Sequence, residues 1–339
     1  TRIKNAMFTR SIVISSKNRK GSEYMPCKSK EINPRLNAVG GQAVIEGVMM
    51  RGPKSIATAV RKPDGEIVVK EEKLNTLAMR HKFFRWPFIR GIIGIVESLK
   101  IGTKELMYSA DFYEEEEVED NKESWTEKIF KDKAQDVEMT FTVLLSVVIA
   151  LVVFMILPNF LASLFGRVTD NHIALNLIEG LIRVLIFFIY VVWISKLDDI
   201  RRVFEYHGAE HKSIHCYENE LELTVENVKK FPILHARCGT SFLFMVMIVS
   251  IFVLSFFGWP NPLLRVLIRI LMFPVIAGIS YEINRIVGRS SSKLCYALSY
   301  PGLMVQKYAT VREPDDEQIE VALAALKAVI PESREEDKW

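Results

Sequence analysis

Long runs of apolar residues constrain the fold of this chain more than any other feature of its sequence. Residues 139–157 and residues 240–257 contain no charged side chain. Each run is close to the roughly 20 residues that a helix needs to cross the hydrocarbon core of a bilayer. The sequence therefore predicts that these two segments are transmembrane helices.

Two further apolar runs, at 173–194 and 263–287, are long enough to span a membrane but contain charged residues. The charged residues are Glu179 and Arg183 in the first run and Arg265, Arg269, Glu282 and Arg285 in the second. Glu179 and Arg183 are four positions apart, so they would share a helix face and we expect an ion pair. The fold class predicted is a mainly α-helical, multi-pass membrane protein with about four transmembrane helices.

The composition agrees with a membrane protein that has polar parts outside the bilayer. Hydrophobic residues make up 49% of the chain and charged residues 25%, which requires the two classes to be segregated. We expect the lipid bilayer to be the main partner, and a homo-oligomer is compatible with the sequence. The net charge of +3 and the lack of a basic stripe interleaved with aromatics argue against a nucleic-acid partner. The four cysteines are too scattered for a disulfide framework, so we expect free thiols or metal ligands.

Lysine and arginine are distributed unevenly among the segments that connect the predicted spans. The connections at 158–172 and 258–262 contain only Arg167 between them, whereas seven such residues lie in 195–239. Because positively charged residues accumulate on the cytoplasmic side, we expect this central loop and both termini to be cytoplasmic. The predicted location is the cell membrane.

The sequence suggests seven segments. They are a basic, disordered arm at 1–37, a β-containing cytoplasmic region with an amphipathic helix at 38–113, an acidic linker at 114–138, a transmembrane hairpin at 139–194, a histidine-rich loop at 195–239, a second hairpin at 240–287 and a tail with a helix at 288–339. The arm is rich in Lys and Arg and lacks a folding pattern. Its first 30 residues could be a disordered arm or an Arg/Ser-rich organelle presequence, but we favour an over-extended gene model whose true start is Met25.

Three local patterns indicate the structure of the extramembrane parts. In residues 40–74, Val/Ile-rich runs flank the turn signal "PDG", which predicts two or three strands. The helix predicted at 87–107 could lie on the membrane surface or pack on the sheet. In the tail, Asp315 and Gln318 resemble a helix-capping pair, and Pro331 would end that helix.

The stretch "EYHGAEHKSIHCYE", residues 205–218, is the strongest chemical signal in the chain. His207 and His211 are four positions apart, so a helix would present both imidazoles to one ion. With Glu210 they form an H-x-x-E-H motif, the inverted zincin spacing. Such a site lowers the pKa of a water molecule on the metal, and Glu210 would act as the catalytic general base.

Catalytic zinc usually takes three protein ligands, so two histidines are not sufficient. The stretch "HARCGT" supplies His235 and Cys238 as candidates for the third ligand, with a divalent metal, best matched by zinc, as the cofactor. Glu282, in the last apolar run, and Glu46, in an apolar strand, are further site candidates, because carboxylates are costly there. The pattern does not favour His215 and Cys216 as ligands.

Three classes of function are compatible with these residues. The first is a metal-dependent hydrolase at the cytoplasmic membrane face. The second is a non-catalytic assembly or scaffold factor with a structural polar or metal cluster, which cysteine ligation would favour. The third is an ion or metal transporter that uses Glu179, Arg183 and Glu282.

Several stretches together resemble the bacterial YqhQ-like family of uncharacterised membrane proteins. They are "VGGQAVIEGVMMRGP", "EYHGAEHKSIHCYE", "HARCGTSFL", "AGISYEINR", "PGLMVQKYAT" and "REPDDEQIEVALAAL". They occur in this order and extend over roughly residues 38–330. The family has been described as predicted metal-dependent enzymes, so the resemblance also implies a metal site. The H-x-x-E-H stretch and Cys238 agree with the family pattern.

Overall fold

The computed structural model describes residues 39–113, 134–289 and 292–331. Over these residues the protein is mainly α-helical and contains a small antiparallel sheet, as the sequence predicts. The arm at 1–37 and most of the acidic linker at 114–138 fall outside the described residues.

The helices vary in length from single turns to segments of membrane-spanning length. They are α1 Leu77–Arg80, α2 Ile89–Ala110, α3 Ala134–Leu151, α4 Leu157–Leu164, α5 His172–Ile194, α6 Asp198–Glu218, α7 Val225–Val228, α8 Gly239–Leu254, α9 Pro262–Arg289, α10 Lys293–Val305 and α11 Asp316–Val329. Short 3₁₀ or π turns join or extend several of them.

Within the described residues, four helical segments are long and apolar enough to cross a membrane. They are Phe141–Arg167, His172–Ile194, Gly239–Phe257 and Pro262–Gly288. They coincide with the four predicted spans, except that the first continues beyond residue 157 through α4 and a 3₁₀ turn at Phe165–Arg167. The predicted span ended at residue 157, whereas in the structure the helix continues past Pro158, directly after a π-helical turn at Val152–Ile156.

The sheet has four strands, one or two more than predicted, and they pair in chain order. The strands are β1 Gly40–Val44, β2 Gly47–Arg51, β3 Ser55–Arg61 and β4 Ile67–Lys73. The "PDG" turn joins β3 to β4 as expected, with Gly65 at a positive φ of 89°. The β1–β2 turn is hidden in the sequence because its two residues, Ile45 and Glu46, are not typical turn formers. Glu46 lies in this turn with a φ of 46°, and not in a strand as the sequence indicated.

The two faces of the sheet are buried by different helices. Helix α2 covers one face, where Ile101 and Tyr108 pack against a cluster that includes Val44 and Val60. This arrangement confirms the alternative in which the amphipathic helix packs on the sheet. Several residues of α2, such as Leu99, are exposed, and their contact with a bilayer stays a prediction.

Helices α6 and α11 cover the opposite face of the sheet. Tyr206 of α6 and Leu326 of α11 join Met50 and Ala57 of the strands in one buried cluster. The predicted cap of α11 is confirmed, because Asp315 and the side chain of Gln318 form a reciprocal capping box. The β-containing region, the central loop and the tail therefore fold together into one unit.

Three charged residues inside the candidate spans, Glu179, Arg183 and Arg269, pair with one another, and Arg265 lies over the Trp259 ring. Glu179 accepts hydrogen bonds from Arg183 at 2.5 Å and from Arg269 at 2.9 Å, so the ion pair predicted within α5 is present and extends to α9. Glu282 of α9 pairs with Arg90 of α2. This pairing ties α2 to the span that α9 forms.

Helix α10 is not evident from the sequence, because Pro301 and Gly302 lie inside it and such a pair usually marks a turn. It packs along α8, and a Cβ atom on Gly302 would lie 2.8 Å from the Cα of Ser241. This close contact brings the end of α10 next to the segment that precedes α8. That segment contains His235 and Cys238.

Candidate metal centre

The C-terminal half of α6 presents a stripe of polar side chains that are shielded from solvent. Glu210 and His211 have relative exposures of 5% and 1%, and they belong to the buried part of α6, which runs from Gly208 to Ile214. One side of the helix packs on β1 and α11, while the histidines face the segment at 233–238. Four-residue spacing on a helix places such side chains in a row, as the sequence predicts.

His207 of α6 and Cys238 at the start of α8 are in direct contact. The Nε2 atom of His207 lies 3.1 Å from the Sγ atom of Cys238. The other ring nitrogen, Nδ1, lies 2.9 Å from the carbonyl oxygen of Thr310 and is placed to donate to it. This anchor leaves Nε2 as the nitrogen that can bind a ligand.

His211 is anchored in the same way. Its Nδ1 atom lies 2.6 Å from the carbonyl oxygen of Ile233, and its Nε2 atom is buried without a hydrogen-bond partner. A buried polar atom without a hydrogen bond costs roughly 1–3 kcal/mol of folding free energy, so the burial of Nε2 requires an explanation. Ligation of a metal ion would provide one, since metal-binding histidines usually donate their other N–H to a carbonyl or carboxylate.

The side chains of His207, His211 and Cys238 offer three ligand atoms that all lie within 4.8 Å of one another. Two imidazoles and a thiolate are a ligand set that suits zinc, and three protein ligands leave a fourth position open. The donor atoms, the carbonyl anchors and the orphan nitrogen of His211 together fit a divalent metal. We call these three residues the first centre.

Glu210 lies beside the first centre but outside its three ligands. Its Oε2 atom is 3.8 Å from Nε2 of His207, which is close enough for a role as a base or as a further ligand. Strand β1 passes tightly over it, since a Cβ atom on Gly41 would lie 2.9 Å from Cγ of Glu210. The sheet thus helps to fix the position of this carboxylate.

The remaining predicted site residues lie elsewhere. His235 belongs to a neighbouring group with His215 and Glu218, so Cys238 and not His235 completes the first centre. Glu282 pairs with Arg90. Glu46 pairs with Arg202 and accepts a hydrogen bond from the Tyr206 hydroxyl at 3.2 Å. The structure explains both carboxylates by these contacts and does not bring either to the histidines.

Electrostatics favour charge separation between Cys238 and His207 when both lack a metal. Burial would raise the pKa of Cys238, but the adjacent His207 and the Thr240 hydroxyl and N–H outweigh it and lower that pKa to about 7. Burial would likewise lower the pKa of His207, but Cys238 and Glu210 raise it to about 9. Burial and the neighbouring His207 lower the pKa of His211 to about 3, so His211 is neutral and able to bind a metal at neutral pH.

Several residues that the sequence did not single out hold the centre in place. Gln306 accepts a hydrogen bond from the N–H of His235 and donates to its carbonyl, both at 2.9 Å. Gly208 allows the segment that contains Thr310 to approach α6, because a Cβ atom there would lie 2.0 Å from the carbonyl oxygen of Arg312. Neither role has a local sequence signal, since each depends on residues about 70 to 100 positions away.

Comparison with known proteins gives one family and one curated relative. Residues 86–332 match the model of a family described as "Protein of unknown function (DUF1385)". The chain is 37% identical over 303 residues to a protein of Bacillus subtilis (strain 168) named "Uncharacterized protein YqhQ". That alignment covers 86% of this chain and 92% of the relative. No solved structure gives a significant match.

Proposed function

We propose that this chain, which belongs to the YqhQ-like family defined by DUF1385, is an integral membrane protein that binds a divalent metal ion at its cytoplasmic face. His207, His211 and Cys238 would be the ligands, and zinc suits this ligand set best. The observation that carries the proposal is the buried Nε2 atom of His211, which has no hydrogen-bond partner among the described residues and lies within 4.8 Å of two other ligand atoms.

The reaction class proposed is hydrolysis. When bound, a divalent metal supplies a Lewis acid that activates water at neutral pH. Glu210 would accept the proton of that water, because its carboxylate lies 3.8 Å from a ligand atom and is nearly buried. Thr310 and Ile233 would hold the two imidazoles in the orientation that the ion requires.

The orientation in the membrane is part of this proposal. The central loop contains seven Lys and Arg residues and folds with the sheet and the tail helix. Positively charged segments favour the cytoplasmic side, so we place the first centre and both termini in the cytoplasm.

Metal analysis of protein purified in detergent without chelators tests the proposal. We expect about one tightly bound divalent ion at the first centre, and loss of that ion in His211→Ala. Glu210→Gln should retain the ion, because a base is not required for binding, and should remove any hydrolytic activity. His172→Ala is the control, since His172 is exposed at the start of α5. Folded wild-type protein without a stoichiometric divalent ion would contradict the proposal.

A metal-free thiol centre is a second candidate function. The observation that favours it is the 3.1 Å contact between Cys238 and His207, with Cys238 as the N-cap of α8. A thiolate is stabilised by an imidazolium and by the N-terminus of a helix. Alkylation by iodoacetamide separates the two candidates, because a bound metal ion would protect Cys238 until a chelator removes it. Under the thiol proposal, a chelator would not change the rate.

The structure also bears on the two other functions that the sequence left open. Glu179, Arg183 and Glu282, the residues considered for transport, each have an ion-pair partner within the protein, so the cost of their burial does not require a transported ion. A non-catalytic scaffold with a structural metal stays a prediction. The scaffold hypothesis predicts that loss of the metal unfolds the unit that contains the sheet, whereas the hydrolase hypothesis does not.

A further inference from the structure

A second group of potential metal ligands lies next to the first centre. His215, Glu218 and His235 offer ligand atoms that all lie within 4.8 Å of one another. The two groups are contiguous, because the ring centroid of His235 is 5.5 Å from that of His211 and 4.6 Å from that of His215. The four imidazoles therefore form one continuous row across α6 and the segment before α8.

His215 continues the spacing and the anchoring of the first centre. It follows His211 by four residues on α6, and its Nε2 atom lies 2.9 Å from the carbonyl oxygen of Leu234. Donation to that carbonyl leaves Nδ1 as the free nitrogen of the ring. The arrangement repeats that of His207 and His211, each of which is also anchored by a backbone carbonyl.

Glu218 and His235 complete this group from two different elements. The Oε2 atom of Glu218 lies 3.6 Å from Nε2 of His235, while its other carboxylate oxygen pairs with Arg237. A carboxylate that binds a metal is commonly held by a hydrogen-bond donor on its other side, and Arg237 is placed to fill that role. The Nδ1 atom of His235 lies 3.3 Å from the backbone nitrogen of Arg237, so this hydrogen bond is long. If the ring proton moved to Nδ1, this hydrogen bond would be lost and Nε2 would be left to bind the metal ion.

We propose that His215, Glu218 and His235 bind a second divalent metal ion beside the first centre. The inference deepens the proposed function and rests on it, since both centres would belong to one site. Two imidazoles and a carboxylate without a thiolate suit zinc, manganese, cobalt or iron in the divalent state. Neighbouring metal ions are typical of enzymes that hydrolyse phosphoesters and peptides, so a phosphoester or an amide is the substrate class expected.

A structural role for the second group makes different predictions. In that case, Glu218 would serve only to neutralise the half-buried Arg237, and His215 would serve only to donate a hydrogen bond to the carbonyl of Leu234. The chain would then bind one ion, at the first centre, and removal of His215 would leave the amount of metal unchanged. The thiolate of Cys238 provides a spectroscopic distinction between the centres, because only the first has a sulfur ligand.

Titration of the metal-free full-length protein with Co²⁺ in detergent tests the inference. We expect wild type to bind two equivalents and to show a thiolate-to-cobalt charge-transfer band in the near ultraviolet. His215→Ala should bind one equivalent and keep the band, whereas His211→Ala should lose the ion that gives the band. Glu218→Gln is the second variant, since it preserves the side-chain volume and should also lose one equivalent. His172→Ala, with both equivalents retained, is the matched histidine control.

The outcomes separate the two proposals. One equivalent in wild type, with the band present and unchanged in both His215→Ala and Glu218→Gln, would overturn the second site and leave the first intact. No binding in folded wild-type protein would overturn both. The second site would be supported if wild type bound two equivalents of Co²⁺ and either variant bound one equivalent and kept the band. This measurement does not depend on activity.

Discussion

The Nε2 atom of His207 lies 3.1 Å from the Sγ atom of Cys238, although 31 positions separate the two residues in the chain. His207 belongs to α6, which covers the sheet, whereas Cys238 caps α8, a candidate membrane span. The contact therefore joins the unit that contains the sheet to the candidate spans. It sets the position of the candidate metal centre at the junction between them.

Metal affinity at the first centre should fall as the pH is lowered. Binding must displace the proton from each protonated ligand. The pKa is about 9 for His207 and about 7 for Cys238. Between pH 7 and pH 9, metal binding must therefore displace one proton, from His207. Below pH 7 it must displace two protons, one from each residue. We expect the apparent dissociation constant to rise about tenfold per pH unit in the first range and about a hundredfold per unit in the second.

Competition with a chromophoric chelator at a series of pH values measures this dependence. His172→Ala should show the same slopes as wild type, since its side chain is exposed and remote from the ligands in the chain. An affinity that stays constant throughout this range would contradict the ligand assignment, because at least His207 would have to lose a proton on binding.

Replacement of Gly208 should disturb both stability and metal binding. In Gly208→Ala, the new Cβ atom would lie 2.0 Å from the carbonyl oxygen of Arg312. This oxygen belongs to the backbone, so it cannot move aside as easily as the end of a flexible side chain. We expect a loss of about 1–3 kcal/mol from overpacking. The displaced segment includes Thr310, whose carbonyl anchors His207, so metal occupancy should fall as well.

The unfolding midpoint in detergent and the metal content of the same sample measure the two effects. Gly166→Ala is the matched control, because nothing lies within 4 Å of a Cβ atom at that position. We expect that variant to stay within about 0.5 kcal/mol of wild type. Equal behaviour of the two variants would show that the close contact at Gly208 is not maintained in solution.

Neutralisation of Glu179 should strongly destabilise the packing of the candidate spans. Glu179→Gln would leave Arg183 and Arg269 without the carboxylate that both contact, and removal of one partner of a buried ion pair typically costs about 3–5 kcal/mol. Arg183→Gln should cost less, because Glu179 would keep Arg269. The ranking of the two unfolding midpoints tests this, and a more severe effect of Arg183→Gln would refute the arrangement.

The topology prediction can be tested by labelling cysteines from outside intact cells. A membrane-impermeant thiol reagent should reach a cysteine at Asp170, which is exposed in the loop between the first two spans. It should not reach a cysteine at Glu226, which is exposed on α7 in the central loop. Both variants should become labelled after the cells are permeabilised. The opposite pattern in intact cells would place the metal ligands outside the cytoplasm.

Much of the architecture follows from local sequence patterns. The four candidate spans are evident because each apolar run is close to or above the length of roughly 20 residues that a bilayer requires, and the structure forms helices at all four. The cap of α11 and the turn at Gly65 are also local, since their residues interact within three or four positions. The β1–β2 turn was not predicted because it lacks glycine and proline. Helix α10 was not predicted because Pro301 and Gly302 inside it resemble a turn.

The histidine stripe was evident in the sequence, but its partners were not. Helical spacing alone places His207 and His211 on one face, and His215 continues that spacing by one turn, although the sequence did not favour it as a ligand. The assignment of Cys238 to the first centre and of His235 to the second depends on how α10 and the segment at 306–312 fix the start of α8.

The sequence by itself determined the spans, the helix that carries the histidines and the residue types that could bind a metal, because these depend on spacing along one element. Only the tertiary structure decided which residues meet. It paired Glu282 with Arg90 and Glu46 with Arg202, and it brought Cys238 to His207. Such contacts arise from close packing between elements distant in the chain, and that packing leaves no pattern in the local sequence.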